Sequence, residues 1–218
     1  MRELENISSE NVDQLIRDFS KDQSTDMDII FVIDRSGSMA GSERSTINGF
    51  NSLIERESTK DRNTRITTVL FDHNYEVLYT RKPVRDIKPL TNDDYFVRGS
   101  TALYDAVGMT IQSLKNKVSD SVLFIIITDG MENSSREFAR AQIKDYIDSL
   151  PWEFVFVGAE IDSYREASNI GIKMTHTANF EKTAEGLKST FDAFEVLSDA
   201  VYSKESIDDV DWKRNLEK

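Results

Sequence analysis

"DIIFVIDRSGSM", residues Asp28 to Met39, decides how the chain folds. From Ile29 to Ile33 the run is unbroken, apolar and largely β-branched. That is the composition of a strand covered on both faces, and such strands belong to parallel sheets flanked by helices. The run then gives way to oxygen-bearing side chains at alternate positions, Asp34, Ser36 and Ser38, around a glycine. A strand that ends in this way sets three potential ligands beyond the carboxyl end of a sheet, where open α/β folds bind what they bind.

Outward from this stretch the chain keeps alternating between strand and helix patterns. Ile47, Phe50 and Ile54 recur at helical spacing, and "TRITTVLF" (64–71) and "YEVLYT" (75–80) read as strands. The "DHN" between those two strands (72–74) suits a hairpin and places one antiparallel strand at the sheet edge. Leu103, Ala106, Val107, Thr110, Ile111 and Leu114 mark the next helix, and "SVLFIIIT" (121–128) a central strand. A helix through Ala139, Ile143, Tyr146, Ile147 and Leu150 is stopped by Pro151. Next come the strand "EFVFVGA" (153–159), a short helix "SYREASNIG" (163–171) closed by Gly171, and a last strand in "IKMTHTA" (172–178). Phe180, Ala184, Leu187, Phe191, Phe194 and Val201 trace a long amphipathic helix. The class is therefore α/β: a doubly wound, mostly parallel central sheet with one antiparallel edge strand and helices on both faces.

Three regions are expected. Residues 1–26 form an N-terminal helical extension whose face is Val12, Leu15, Ile16 and Phe19, docked on the same domain. Residues 27–205 are the domain itself. Residues 206–218 are a polar tail with Val210 and Trp212 as its only core candidates. Composition narrows the function. With 27 Lys+Arg against 39 Asp+Glu, the net charge of −12 is wrong for a surface that neutralises nucleic-acid phosphates. No apolar run approaches the ~18 residues of a membrane span, and the start lacks the apolar stretch of a secretory signal. The absence of cysteine excludes disulfides and thiolate ligands. A cytoplasmic protein is expected, with its oligomeric state left open.

Two further polar sets fall on the same rim as Asp34, Ser36 and Ser38. Gly99, Ser100 and Thr101 directly precede a helix, and Thr128, Asp129 and Gly130 end a central strand. Asp34, Ser36, Ser38, Thr101 and Asp129 can thus converge on one point. A set of hard oxygen donors, with neither nitrogen nor sulfur, favours Mg²⁺, or alternatively Mn²⁺ or Ca²⁺, over zinc.

The motif set Asp34-x-Ser36-x-Ser38, the threonine of "GST" and the aspartate of "TDG", in that chain order, resembles the von Willebrand factor type A domain and its metal-ion-dependent adhesion site. The resemblance covers roughly residues 27 to 203. It implies that Ser36, Ser38 and Thr101 are hydroxyl ligands and that Asp34 and Asp129 bind directly or through water. It also implies a protein partner that supplies an Asp or Glu carboxylate to the metal. "EFVFVGAEIDSYREASNIGI" and the segment after it are similar to stand-alone prokaryotic and phage proteins of this class.

An enzyme is the rival reading, as a hydrolase or phosphotransferase using the same Mg²⁺. It lacks a G-x-x-x-x-G-K-[ST] loop, and Ser36 stands where a D-x-D phosphotransferase carries its second aspartate. Arg35 and Asp34 before Ser36 exclude a G-x-S-x-G elbow. His73 reads as a turn residue and His176 as a pairing or surface residue of the last strand. Asp72 reads as turn-forming, Glu132 and Asp105 as charges suited to a helix N-terminus, and Trp152, Phe154 and Phe156 as a strand start and its core face.

Overall fold

A computed structural model describes residues 26–159 and 162–216. Among them, six strands form one sheet: β1 (Met27–Asp34), β2 (Thr64–Phe71), β3 (Tyr75–Pro83), β4 (Ser121–Thr128), β5 (Glu153–Gly158) and β6 (Thr177–Asn179). The order across the sheet is β3-β2-β1-β4-β5-β6. β2 and β3 pair antiparallel and every other neighbouring pair is parallel, as the sequence predicts. Five helices complete the fold: α1 (Glu43–Thr59), α2 (Leu103–Leu114), α3 (Arg140–Ser149), α4 (Ser163–Asn169) and α5 (Ala184–Tyr202). None is long and apolar enough to cross a membrane.

β1 is buried along its whole length because both of its faces are covered. Ile29, Phe31 and Ile33 face α1 and α5, packing among Phe50, Leu53, Leu187, Phe191 and Phe194. Ile30 and Val32 face the opposite side, among Val107 and Ile111 of α2 and Ile143 and Ile147 of α3. The alternation along one continuous apolar run is what lets a single strand hold two cores. The chain leaves β1 toward β2 on one side and returns to β4 on the other, so the carboxyl ends of β1 and β4 flank the point where strand order reverses.

The edge strand β3 is not a plain ladder. Its register against β2 is irregular around Thr68, and Arg81 adopts φ 45°. That conformation, uncommon outside glycine, aims the guanidinium inward: Nε and Nη2 donate to the two oxygens of Asp28 at 2.8 and 3.1 Å. Asp28 is fully buried on β1 and also accepts from the amide and hydroxyl of Ser119. This bidentate pair explains a carboxylate at the start of an otherwise apolar strand.

Three expectations change. The strand expected over 172–178 shrinks to Thr177–Asn179, with Met174–His176 wound into a 3₁₀ turn. The His176 amide and the Thr177 hydroxyl both close back on the Lys173 carbonyl, so the alternating pattern is spent on a turn. Phe180 precedes the last helix instead of starting it. Thr183 is the N-cap, its hydroxyl accepting from the Gly186 amide, while Phe180 is pinned by its own amide to the Gly158 carbonyl. Beyond residue 205, where a polar tail was expected, Ile207, Trp212 and Leu216 are buried against the α1/α5 side of the core. The Trp212 indole donates to the Thr175 carbonyl at 3.0 Å. Trp212 and Val210, the core candidates of the segment, do pack there, whereas Ile207 and Leu216 follow neither helical nor strand periodicity and so carried no signal. The helical face expected at Val12 to Phe19 lies outside the described residues.

Candidate metal centre

Asp34 closes β1 at full burial. Its Oδ1 accepts from the Ser36 amide at 2.6 Å and its Oδ2 from the Thr128 hydroxyl at 2.6 Å, so the carboxylate is held in one orientation. Burial pushes the Asp34 carboxyl up to about 6. The bonds from Thr128 and Ser36 act against that rise, and the nearby Asp129 charge adds to it. The buried Tyr95 hydroxyl donates to the Asp34 carbonyl at 2.6 Å and fixes the strand end from behind.

From that anchor the hydroxyls follow. Ser36 Oγ and Ser38 Oγ lie 2.9 Å apart, and Thr101 Oγ1 donates to Ser36 Oγ at 3.0 Å. Asp129, the residue after β4, has a buried carboxylate whose Oδ1 accepts no hydrogen bond among the described residues. Gly130 faces this group. A Cβ built on it would stand 2.5 Å from Thr101 Oγ1, 3.0 Å from Ser38 Oγ and 3.5 Å from Asp34 Oδ2. The five residues singled out by sequence therefore come together at one rim, packed closely enough that only glycine fits at position 130 without displacing them. Its donors are two carboxylates and three hydroxyls. Among the described residues no three His, Cys, Asp or Glu side chains are grouped to hold an ion, so any cation here depends on the hydroxyls. An unpartnered buried carboxylate oxygen beside an all-oxygen set of donors fits a hard divalent ion.

The three connections are stitched together. The Gly37 amide donates to the Gly99 carbonyl at 3.0 Å, Arg98 N to Arg35 O at 2.9 Å, and Asn133 N to Thr101 O at 3.0 Å. Asn133 returns the bond by accepting from the Thr101 amide at 2.9 Å. Gly99 has φ 70° and lies under the His73 ring, which a Cβ would strike, so glycine is required there.

Arg35, between the two motif residues, is wholly buried, and its guanidinium reaches Asp72 at 3.0 Å and Glu76 at 2.6 Å. Arg98 reaches the same Asp72 oxygen at 2.9 Å. Burial alone would raise the Asp72 carboxyl. Hydrogen bonds from Arg98, the Asn74 amide and Arg35 outweigh it and hold the group below its ordinary value. Asp72 thus forms the turn expected of it and also ties two loops, and its engaged oxygens make it a brace, not a ligand. Phe96, itself exposed, packs against both guanidiniums.

Glu132 accepts from the Tyr104 amide at 3.0 Å and so caps α2 from across the site. Asp105 lies in the first turn of α2, as expected, and has a second role as well. It accepts from the amides of Arg136, Glu137 and Phe138 and shapes the loop ahead of α3. His73 is half-exposed and paired with Asp72. His176 is buried just before β6, beside the middle of β5, with Nδ1 3.2 Å from the Phe154 carbonyl. Sequence reasoning missed Tyr95, the Arg35–Asp72–Arg98 brace and Lys182. The ammonium of Lys182 lies 2.8 Å from Asp129 Oδ2 and donates to the Ser38 carbonyl at 2.7 Å. Nothing in the sequence near Lys182 signals this placement.

A family model described as the von Willebrand factor type A domain matches residues 28–195, most of the chain. The chain belongs to the von Willebrand factor type A (VWA) family. No curated protein matches it as a relative. Among solved structures, this VWA domain is similar to proximal thread matrix protein 1 from the mussel byssus with a zinc-occupied MIDAS motif. Identity is 17% and TM-score 0.57, over 83% of this chain and 46% of that one. It is also similar to the PilB minor pilin from Streptococcus sanguinis, with 11% identity, TM-score 0.61, and coverage of 83% and 62%. A third similar structure is the vWF domain of the type V pili tip protein Mfa5 from Porphyromonas gingivalis, with 12% identity, TM-score 0.59, and coverage of 81% and 96%. The chain thus spans less than half of the mussel protein. Identities this low establish the VWA fold, whose members are typically metal-dependent interaction modules.

Proposed function

We propose that Asp34, Ser36, Ser38, Thr101 and Asp129 form an intact metal-ion-dependent adhesion site that holds Mg²⁺. In this reading the ion bridges to an Asp or Glu carboxylate on a partner protein. The chemistry of the donors carries the choice of ion: two carboxylates and three hydroxyls, with neither nitrogen nor sulfur, suit a hard cation such as Mg²⁺. The three hydroxyls, which bond to one another at 2.9 and 3.0 Å, would turn their oxygens to the ion on its entry. Mn²⁺ serves as an experimental substitute.

The bound ion supplies a concentrated positive charge that attracts a carboxylate. The chain's own residues preserve that charge: three neutral hydroxyls do not cancel it, and Asp34, clamped by Ser36 and Thr128, keeps one orientation throughout. Exposed Phe96 and Met131, on the loops that precede Thr101 and follow Gly130, suit apolar partner residues flanking the acidic one. We favour a binding module over a hydrolase or phosphotransferase because His73 is committed to the Asp72 turn and His176 adjoins the edge strand β6, with β4 and β5 between it and Asp34. A cytoplasmic setting in a prokaryotic or phage system belongs to the same proposal, and fractionation of the native cell checks it.

Partner capture from the native cell, with and without EDTA, tests the central reading. Binding is expected in Mg²⁺ and absent in EDTA or with Asp34→Ala. A partner retained equally in chelator overturns it.

A further inference from the structure

We infer that Lys182 is a tethered cation that stands in for the divalent ion at Asp129 and must give way when the ion enters. The inference rests on the metal site proposed above and goes beyond it, because it concerns how this chain controls its own occupancy. The Lys182 Nζ lies 2.8 Å from Asp129 Oδ2 and donates to the Ser38 carbonyl at 2.7 Å. It thus touches two of the three connections that build the site. Its side chain is 19% exposed and that of Asp129 is 1% exposed, so the pair is shielded from bulk solvent and salt.

The ammonium is delivered from a stiff segment. On one side the Phe180 amide is bound to the Gly158 carbonyl, and the Phe180 ring is buried. On the other, the Thr183 amide donates to the Glu181 carbonyl at 2.7 Å, and the Thr183 hydroxyl caps α5. The Glu181 carbonyl lies so close to Gly186 that a Cβ there would stand 2.3 Å from it. A lysine on a loose loop would be drawn into water by its hydration. Held at both sides, this one is presented to the carboxylate.

A single positive charge balances Asp129 while the hydroxyls bond to one another. A divalent ion entering the site meets that ammonium across one carboxylate. Two cations at such range, away from bulk water, repel strongly, so the ion's affinity is set partly by the free energy of moving Lys182 aside. Displacement also breaks the bond to Ser38 and frees the segment leading into α5.

The test uses the full chain and Mn²⁺ as the probe, with free ion read by electron paramagnetic resonance. Lys182→Met and Lys182→Gln are expected to bind Mn²⁺ about tenfold or more tightly than the parent, the size of effect that removal of one nearby cation produces. Lys182→Arg, which keeps the charge, is expected to stay near the parent. Hydrogen exchange over residues 180–186 adds a readout that affinity alone does not give. Mn²⁺ should speed exchange there in the parent, and in Lys182→Met exchange should already be fast without metal.

Equal or weaker Mn²⁺ binding by both neutral variants, with the parent still saturable and Asp34→Ala inert, overturns the Lys182 inference and leaves the site standing. Saturable binding that persists in Asp34→Ala, or its absence from the parent and every variant, overturns the site itself. Binding by Lys182→Met but not by the parent supports both.

Discussion

At Gly130 the absence of a side chain leaves the proposed ligands undisturbed. The Cβ of Gly130→Ala would press on Thr101 Oγ1 and Ser38 Oγ, so Mn²⁺ binding should fall at least tenfold. The contact with the buried Thr101 hydroxyl has to be relieved by a shift, so the melting temperature in EDTA should fall as well. Calorimetry and ion titration on one preparation check both halves. Asp34 gives a pH signature. Its carboxyl is raised from 3.8 to about 6 by burial, so between those values the folded chain holds a proton that the unfolded chain has released. Stability of the metal-free protein from this group is therefore greatest at low pH. It declines by on the order of 3 kcal/mol as pH rises through about 6. Asp72 and Asp208, whose carboxyls are lowered, act in the opposite direction. The comparison of parent with Asp34→Asn across pH 4 to 7 by urea unfolding isolates the Asp34 contribution, and the variant should lack the decline. Mg²⁺ competes with that proton, so its stabilising effect should grow over the same interval. The residues expected at the site were legible because each sits where a strand ends or a helix begins, and local pattern marks both. Tyr95, Arg35 and Lys182 were not, since their roles depend on distant loops meeting.

Elements were legible in proportion to the length of their periodic pattern. β1, β2, β4, α2 and α5 carry runs or stripes long enough to reveal a period, and they formed close to where the pattern placed them. The failures are short. Over 172–178 the alternating residues were diverted by two bonds to one carbonyl, a choice that propensity does not register. Past residue 205 the apolar residues are too sparse for any period, although three of them reach the core. Trp212 shows the consequence: an indole on a solvated tail would be nearly neutral to remove. With its ring buried and its N–H bonded to Thr175, Trp212→Ala should cost about 3–5 kcal/mol in urea unfolding. A cost below about 0.5 kcal/mol would mean that this segment does not pack in solution.

For the whole molecule, strand order fixes where an ion can sit. Because β1 and β4 are neighbours at the point of reversal, residues about a hundred positions apart share one rim, and no unfolded chain can assemble them. Mg²⁺ binding should therefore be purely a property of the native state. At a hundredfold excess over Kd it should add about 2.7 kcal/mol and raise the melting temperature by roughly 5–10 °C. Scanning calorimetry should show no such rise with Asp34→Ala. The net charge of −12 raises the local concentration of divalent cations without selecting among them, and selection is left to the donor chemistry of the site.

The two borders of the sheet bear on crowding. β6 is only three residues long, and β3 has its ladder interrupted and one residue, Arg81, turned left-handed to grip Asp28. Neither border offers the flat, regular row of amides and carbonyls on which a second copy could template itself. A chain so built can accumulate to high concentration without growing into fibrils through its edges.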